Sequence, residues 1–528
     1  MASILMIHCN RLVSGVQYLG ISALASFAKK AGHEFSLFDC SHYSWTTTKE
    51  TYSNFRYLNN RIDLEYKHVN GDVSIAIKRK AQNLILDLQQ KIEGEQVDLI
   101  GISTFSDDWP FALFLIRHIH SKFTNIPIIV GGIHATAAPE EVIKHPEIAM
   151  LCVGEGEMPL VELLNSIDKG KLNLSIKNLW IKHEGEIIKN PLRPLMEFQE
   201  NFPCLDWSIY NDTNFYYPYE GKLYRRGSVF LKRGCPYKCT FCINDTYYRM
   251  YDEEKISLHY LKSVEYAIRE ISYLNKEYDL EFLRFWDETF LALPYKYLVH
   301  FSELYVKEIN LPFTIESTAN TVTRKKLSLL ADMGCKSISI GVETSNESLR
   351  KKVLKKRISN LAYEKCFEMM DEFGLRKVAN FMFFLPHQTL NDMLQDIQLS
   401  KKWGIDHPAA RSFYPYIGTS LRDYCIENDM VCLDRLKEIE DENSVQSIEC
   451  VSDKFSTSQD SVLKFSDKIK HEGIMLLSNY ILFQETPDWM YNMLKKHILM
   501  NDKLSNKIIY EIEYYLYMKR FGDKPLGV

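Results

Sequence analysis

The sequence predicts an α/β protein built on two parallel sheets, followed by a mostly helical region. Three observations carry that reading. Strand-like and helix-like segments alternate over residues 1–190 and again over 227–416. The strand segments are short, nearly continuous apolar runs, as expected of strands covered on both faces. Between the two series, Pro191, Pro194, Pro203 and Pro218 interrupt any period, so 191–226 reads as a linker. At 528 residues the chain is too long for one core. The expected parts are a doubly wound sheet over 1–190, the linker, a partial (β/α)6 barrel over 227–424, and a helical domain over 425–528.

In the first part, Ile4–Ile7 reads as a buried strand. Leu19–Ala31 is a helix closed by Gly32, a residue suited to a helix C-terminus. Glu34–Asp39 is the second strand. Residues 43–72 are polar, tyrosine-rich and aperiodic, so they read as an insertion, followed by a helix near 74–93. Strands at 98–103, 126–130 and 149–153 alternate with helices at 109–123 and from about 156. In such sheets ligands bind beyond the C-terminal strand ends. Those ends carry Ser103-Thr104, Gly131-Gly132-Ile-His134 and Gly154-Glu155-Gly156-Glu157. Glycines there allow close backbone approach of a large planar ligand. Taken singly, Gly-Gly is also an ordinary turn, and His134 also an ordinary structural histidine.

The second part offers strands at 227–232, 280–286, 312–317, 336–341, 376–384 and 410–415, with helices between them, one over 257–274. Barrel chemistry sits at C-terminal strand ends. After the first strand stands Cys235-Pro-Tyr-Lys-Cys239-Thr-Phe-Cys242. Three thiolates so spaced can serve three irons of a 4Fe–4S cube and leave the fourth iron open. Zinc and unliganded thiols are the alternatives. Structural zinc usually takes two cysteine pairs, and no second pair follows.

Bulk properties bound the function. Hydrophobic residues make up 46%, charged residues 25%, and the net charge is −5, which gives no reason to expect nucleic-acid binding. No apolar run approaches the roughly 18 residues that span a bilayer. The first residues read as a strand rather than a secretory leader, so a cytoplasmic location is expected. The lysine-rich run Arg350–Arg357 reads as a solvated helix face, a local phosphate contact being the alternative.

The cysteine motif, with Phe241 at its aromatic position, resembles the signature of the radical S-adenosylmethionine (SAM) enzymes. Gln17–His33, Gly131–Glu141 and Gly154–Glu157 resemble the Rossmann-like cobalamin-binding domain that precedes the core in the cobalamin-dependent members. The resemblance implies a 4Fe–4S cluster on Cys235, Cys239 and Cys242, with SAM and cobalamin as further cofactors. It implies that Phe241 packs by the adenine. Asp287, and second Glu288, would hold the SAM amino group, helix capping being the alternative for Asp287. Glu343 would bond the ribose. Ser103, Thr104, Gly131, Gly132, His134, Gly154 and Glu155 would line the cobalamin site. No Asp-x-His-x-x-Gly occurs, so no motif histidine is available for cobalt.

Phe383-Phe-Leu-Pro-His-Gln-Thr389 departs from the family's Gly-Leu-Pro-Gly-Glu-Thr. His387 is there a substrate contact or proton donor, or a surface loop residue. Tyr414 and Tyr416 are candidates to line the cavity, one of the two facing helices instead. The implied chemistry is methyl transfer to an unactivated carbon, through a 5′-deoxyadenosyl radical and methylcobalamin. Oxidative cyclisation or rearrangement without methyl transfer is the alternative. The expected partners are a small-molecule or natural-product substrate and an external electron donor such as flavodoxin or ferredoxin.

Overall fold

The computed structural model describes residues 1–10, 16–44, 79–80, 83–219, 222–251, 260–441, 461–466, 468–470 and 476. The first sheet contains β1 (Ser3–His8), β2 (Glu34–Asp39), β3 (Leu99–Ser103), β4 (Ile128–Gly131), β5 (Met150–Cys152), β6 (Leu179–His183) and β7 (Glu186–Lys189), in the order β2-β1-β3-β4-β5-β6-β7. Strands β1 to β5 are parallel. The order reverses between β1 and β3, the switch point where ligands bind in doubly wound sheets.

Alternation along the strands builds two cores. Leu5, Ile7, Ile100, Ile102 and Val130 pack on one face, against Leu113 and Ile116 of the helix Trp109–Lys122. Ile4, Met6, Leu99 and Ile129 pack on the other, against α1 (Leu19–Lys30) and α2 (Glu157–Asp168). Each such buried side chain contributes about 1.5–3 kcal/mol.

The hairpin β6–β7 is antiparallel and was not expected from the sequence. Its turn is Glu184-Gly185, both at positive φ (50° and 85°), the conformation of a two-residue turn that suits strand twist.

The second sheet contains β8 (Tyr216–Tyr219), β9 (Lys222–Val229), β10 (Phe282–Phe285), β11 (Phe313–Ser317), β12 (Cys335–Glu343), β13 (Arg376–Phe383) and β14 (His407–Ser412), hydrogen-bonded in that order. From β9 onward all pairs are parallel, giving the six-stranded open barrel expected. Two local differences stand out. The end of the expected linker forms β8 and the start of β9, an antiparallel edge hairpin. The helix expected from 257 begins at Val264, because Ser263 caps it by accepting from the Tyr266 N–H; Tyr260–Leu261 instead pairs with Lys232–Arg233.

Phe285, Ile315, Ile338, Ile340, Phe381 and Phe383 belong to the core shared with the outer helices. The alternate positions are polar and pair across strands. Arg284 donates to Glu316 and, at 3.5 Å, to Thr314, and Asn380 donates to Ser339 at 2.9 Å. The barrel interior is therefore a polar surface rather than a second core. The insertion from residue 45 and most of the expected C-terminal helical region lie outside the described residues.

Candidate active site between the two sheets

The cysteine loop leaves β9 through Gly234, whose φ of +88° turns the chain away from the strand direction. Cys235 is buried, and Cys239 and Cys242 are half-buried. Cys242 occupies the N-cap of α3 (Ile243–Met250), and its N–H closes a turn on Cys239 O at 3.0 Å. Several neighbours pin the loop. Tyr248 Oη donates to Cys235 O (2.8 Å), Thr240 Oγ1 to Val353 O (2.8 Å), and Asn320 Nδ2 to Tyr237 Oη (2.9 Å).

The thiols sense one another. Burial pushes Cys239 up to about 12; Lys356 opposes this, and Cys242, Glu343 and Cys235 add to it. Burial likewise raises Cys242, with Cys235 contributing. Such thiols become thiolates only beside strong positive charge, which bound iron provides. Among the described residues no three metal-binding side chains stand in the geometry of a single-ion site. A cube that gives each thiolate its own iron does not require convergence on one ion. Three thiolates on one short loop suit a cube with one open iron.

A cavity of about 380 Å³ lies between this loop and the first sheet. On one side it is lined by Met6, Gly101, Ser103, Gly131, Gly132, Gly154 and Glu155, with Leu24 and Leu160 from α1 and α2. On the other it is lined by Phe230, Lys232, Arg233, Gly234, Asn244, Tyr247, Trp286 and Glu288. Two of these glycines are structurally required. Gly132 has φ +95°, and a Cβ there would meet Thr104 O at 2.8 Å. Gly154 has φ +82° and lies under the Tyr251 hydroxyl. The cavity enters the first sheet between β1 and β3 on the α1/α2 face, so an apolar slot opens at the switch point.

Arg233 ties the two walls. It donates to Glu157 (2.5 Å) and Glu155 (3.1 Å), and lies 4.7 Å from the Tyr260 ring centroid. Burial opposes its charge, and Glu157 and Glu155 more than restore it. Glu155 also accepts from the Met196 N–H at 2.7 Å. Across the joint, Tyr416 Oη donates to Asp107 at 2.9 Å.

Comparison with known proteins gives two family matches, in the order the two sheets suggest. The B12 binding domain matches residues 68–164, and the radical SAM superfamily matches residues 229–400. The chain belongs to the cobalamin-dependent radical SAM enzymes.

Three relatives illustrate the likeness. An uncharacterized methyltransferase of Pyrococcus horikoshii is 27% identical over 353 residues, 65% of this chain and 73% of that protein. The anaerobic magnesium-protoporphyrin IX monomethyl ester cyclase of Rubrivivax gelatinosus is 22% identical, covering 60% of this chain and 57% of that one. The structure of the cobalamin-dependent SAM radical enzyme OxsB, with aqua-cobalamin and SAM bound, superposes with a TM-score of 0.63 at 15% identity, over 99% of this chain and 72% of that one.

As a radical SAM enzyme, the chain brings some expected residues together and leaves others apart. Ser103, Gly131, Gly132, Gly154, Glu155 and Glu288 line the shared cavity. Thr104 is buried behind Gly132, its carbonyl accepting from the His134 N–H (3.3 Å). His134 is buried beside Trp109 (ring centroids 4.8 Å apart), with Nδ1 3.1 Å from Ser106 Oγ, and is not in the cavity wall.

Asp287 is also outside the wall. It is fully buried, and accepts from the backbone N–H groups of Lys232 (2.8 Å) and Leu231 (3.1 Å). Burial raises its pKa to about 6, opposed by Lys232. Just past the end of β9, the Leu231 and Lys232 N–H groups are thus paired by this carboxylate.

Glu343, at φ +70°, is buried against Lys356 Nζ (2.8 Å), which also donates to Gly341 O (2.7 Å). Phe241 packs, partly buried, on the cluster around Leu349, Leu354 and Phe413.

The two expected catalytic side chains are not brought to the cavity. His387 is exposed at φ +64°, with Nε2 2.8 Å from Tyr424 Oη. Pro386 is buried, and Phe384 (φ +61°) packs against Phe465. Tyr414 Oη donates to Glu440 at 2.7 Å, so that ring points toward the C-terminal segment.

Sequence reasoning missed Lys232, Arg233, Asn244, Tyr247 and Trp286. Their signal was position: each lies within five residues of a cluster cysteine or at a barrel strand end.

Proposed function

We propose that this enzyme transfers a methyl group to an unactivated carbon of a small-molecule substrate. The observation that carries the reading is the single cavity walled by the glycine strand ends of one sheet and the cluster-loop flank of the other. When bound, the cluster with SAM supplies hydrogen-atom abstraction, and cobalamin supplies a methyl group that a carbon radical can accept.

The chain's own residues supply position and exclusion of water. Cys235, Cys239 and Cys242 hold the cluster. Asp287 fixes the strand end that feeds their loop. Glu343, steadied by Lys356, is the ribose contact, and Glu288 the carboxylate available to an ammonium group. Gly131, Gly132 and Gly154 allow a macrocycle to approach the backbone. Arg233 with Glu155 and Glu157 sets the spacing between the walls. Trp286 and Tyr247 line the barrel side of the cavity. An external low-potential donor supplies electrons to the cluster. No helix among the described residues is long and apolar enough to cross a membrane.

The likeness to the Rubrivivax cyclase favours a second reading, oxidative cyclisation without methyl transfer. Anaerobic reconstitution with iron, sulfide and hydroxocobalamin, followed by mass analysis of SAM products, separates the two. Methyl transfer yields both 5′-deoxyadenosine and S-adenosylhomocysteine. Absence of S-adenosylhomocysteine overturns it in favour of cyclisation.

A further inference from the structure

Apart from Lys356, the basic run after β12 has no role in the site described so far. It divides into inward and outward cations. Arg350 is fully buried and donates to the carbonyls of Thr344 and Ile358. Lys356 is held by Glu343. Between them Lys355 adopts φ +54°, which turns Lys355 outward where Lys356 points in. Lys351, Lys352, Lys355 and Arg357 are all exposed, and among the described residues none has an ion-pair partner. The chain as a whole has net charge −5, so this patch departs from its average sign.

The patch borders the cysteine loop. Thr240, between two of the cysteines, donates through Oγ1 to Val353 O (2.8 Å) and through its N–H to Leu354 O (3.3 Å). The same loop exposes Pro236 and Lys238, while Cys239 and Cys242 are half-buried beneath that surface. The loop's other flank faces the cavity, which Arg233 with Glu155 and Glu157, and Tyr416 with Asp107, close toward the first sheet. The lysines thus flank the exposed side of the cysteine loop.

We propose that Lys351, Lys352, Lys355, Arg357 and Lys238 form the docking surface for a small acidic electron-carrier protein bearing a flavin or an iron–sulfur centre. The inference rests on the cofactor reading above. In the step it serves, one electron leaves the reduced carrier and enters the oxidised cluster. The carrier is oxidised and the cluster reduced by the same electron, and no bond is made or broken. Charge complementarity suits such a brief encounter, because it accelerates association and aligns the partner without requiring a large apolar interface.

The test uses the full chain and an acidic flavodoxin as probe. Binding is measured at low and high salt, before and after cofactor loading. SAM cleavage is measured with reduced flavodoxin and separately with dithionite. The variant Lys351→Glu/Lys352→Glu/Lys355→Glu is expected to bind at least about tenfold more weakly at low salt and to lose most of the salt dependence. Flavodoxin-driven cleavage falls with it, while iron content and dithionite-driven cleavage stay at the wild-type level. The triple Lys→Arg variant keeps both. The proposal is overturned if the charge-reversed variant binds flavodoxin as the wild type does. It is also overturned if dithionite-driven cleavage falls equally, or if the wild type binds duplex RNA or anionic vesicles in preference to flavodoxin. A wild-type protein that cleaves no SAM with dithionite sinks the cofactor reading instead, and the binding measurement still decides the patch.

Discussion

Replacing Arg233 by Met removes the cation shared by Glu155 and Glu157 and leaves two carboxylates side by side on the first-sheet wall with no cation opposite. Deleting one partner of a buried ion pair costs about 3–5 kcal/mol. The Arg233 side chain is 21% exposed, Glu155 17% and Glu157 5%, so solvent relieves part of that cost. A loss of about 2–3 kcal/mol follows, or roughly 30–150-fold in the equilibrium between closed and separated walls. Hydrogen exchange reads this directly. The amides of 154–157 and 232–242 should exchange faster by about that factor, while β11 and β12 keep their protection. A product assay reads the consequence: SAM cleavage continues, but more 5′-deoxyadenosine forms per methylated product. Adding Glu157→Gln to Arg233→Met should recover part of the loss, since one uncompensated charge is gone. Unchanged exchange at both loops together with an unchanged product ratio would refute the view that this triad sets the spacing.

Cys239→Ala should abolish cluster retention, seen as loss of iron and of the charge-transfer absorption, with the fold intact by circular dichroism. Gly132→Ala should cost about 1–2 kcal/mol from its left-handed backbone alone and should reduce cobalamin retained after desalting. Asp287 carries a pH signature. Its folded pKa of about 6 lies above the ordinary 3.8, so the fold favours its neutral form. Below about pH 4 that preference has no effect on stability; as pH rises through 6 it costs about 3 kcal/mol. Asp287→Asn should flatten that window in denaturant titrations taken between pH 4 and 7, and a wild-type slope retained in the variant would assign the titration elsewhere.

Much of the fold was legible because it is written locally. Apolar runs of four to six residues alternate with helical periods, and the two sheets follow that rhythm strand by strand. Elements were lost where local preference was weak or opposed. The β6–β7 hairpin hides in the unremarkable Glu184-Gly185, and the β8–β9 hairpin contains Pro218, which is tolerated because β8 is an edge strand. Polar alternation in β10 to β13 was present in the sequence, yet only closure of the sheet makes Arg284, Glu316, Ser339 and Asn380 an interior.

The site divides the same way. Three cysteines within eight residues share one loop, so a cluster-binding motif was readable from spacing, as were the glycine strand ends. Partners distant in sequence were not. Arg233 meets Glu155 across 78 residues, Asp287 meets Lys232 across 55, and Tyr416 meets Asp107 across 309. Contacts of this kind bury Asp287 against the Leu231 and Lys232 amides, set His387 beside Tyr424 and set Tyr414 against Glu440. Local spacing decides which groups can bind a cofactor. Packing of distant segments decides which of them face it, because burial and backbone donors take up the others first.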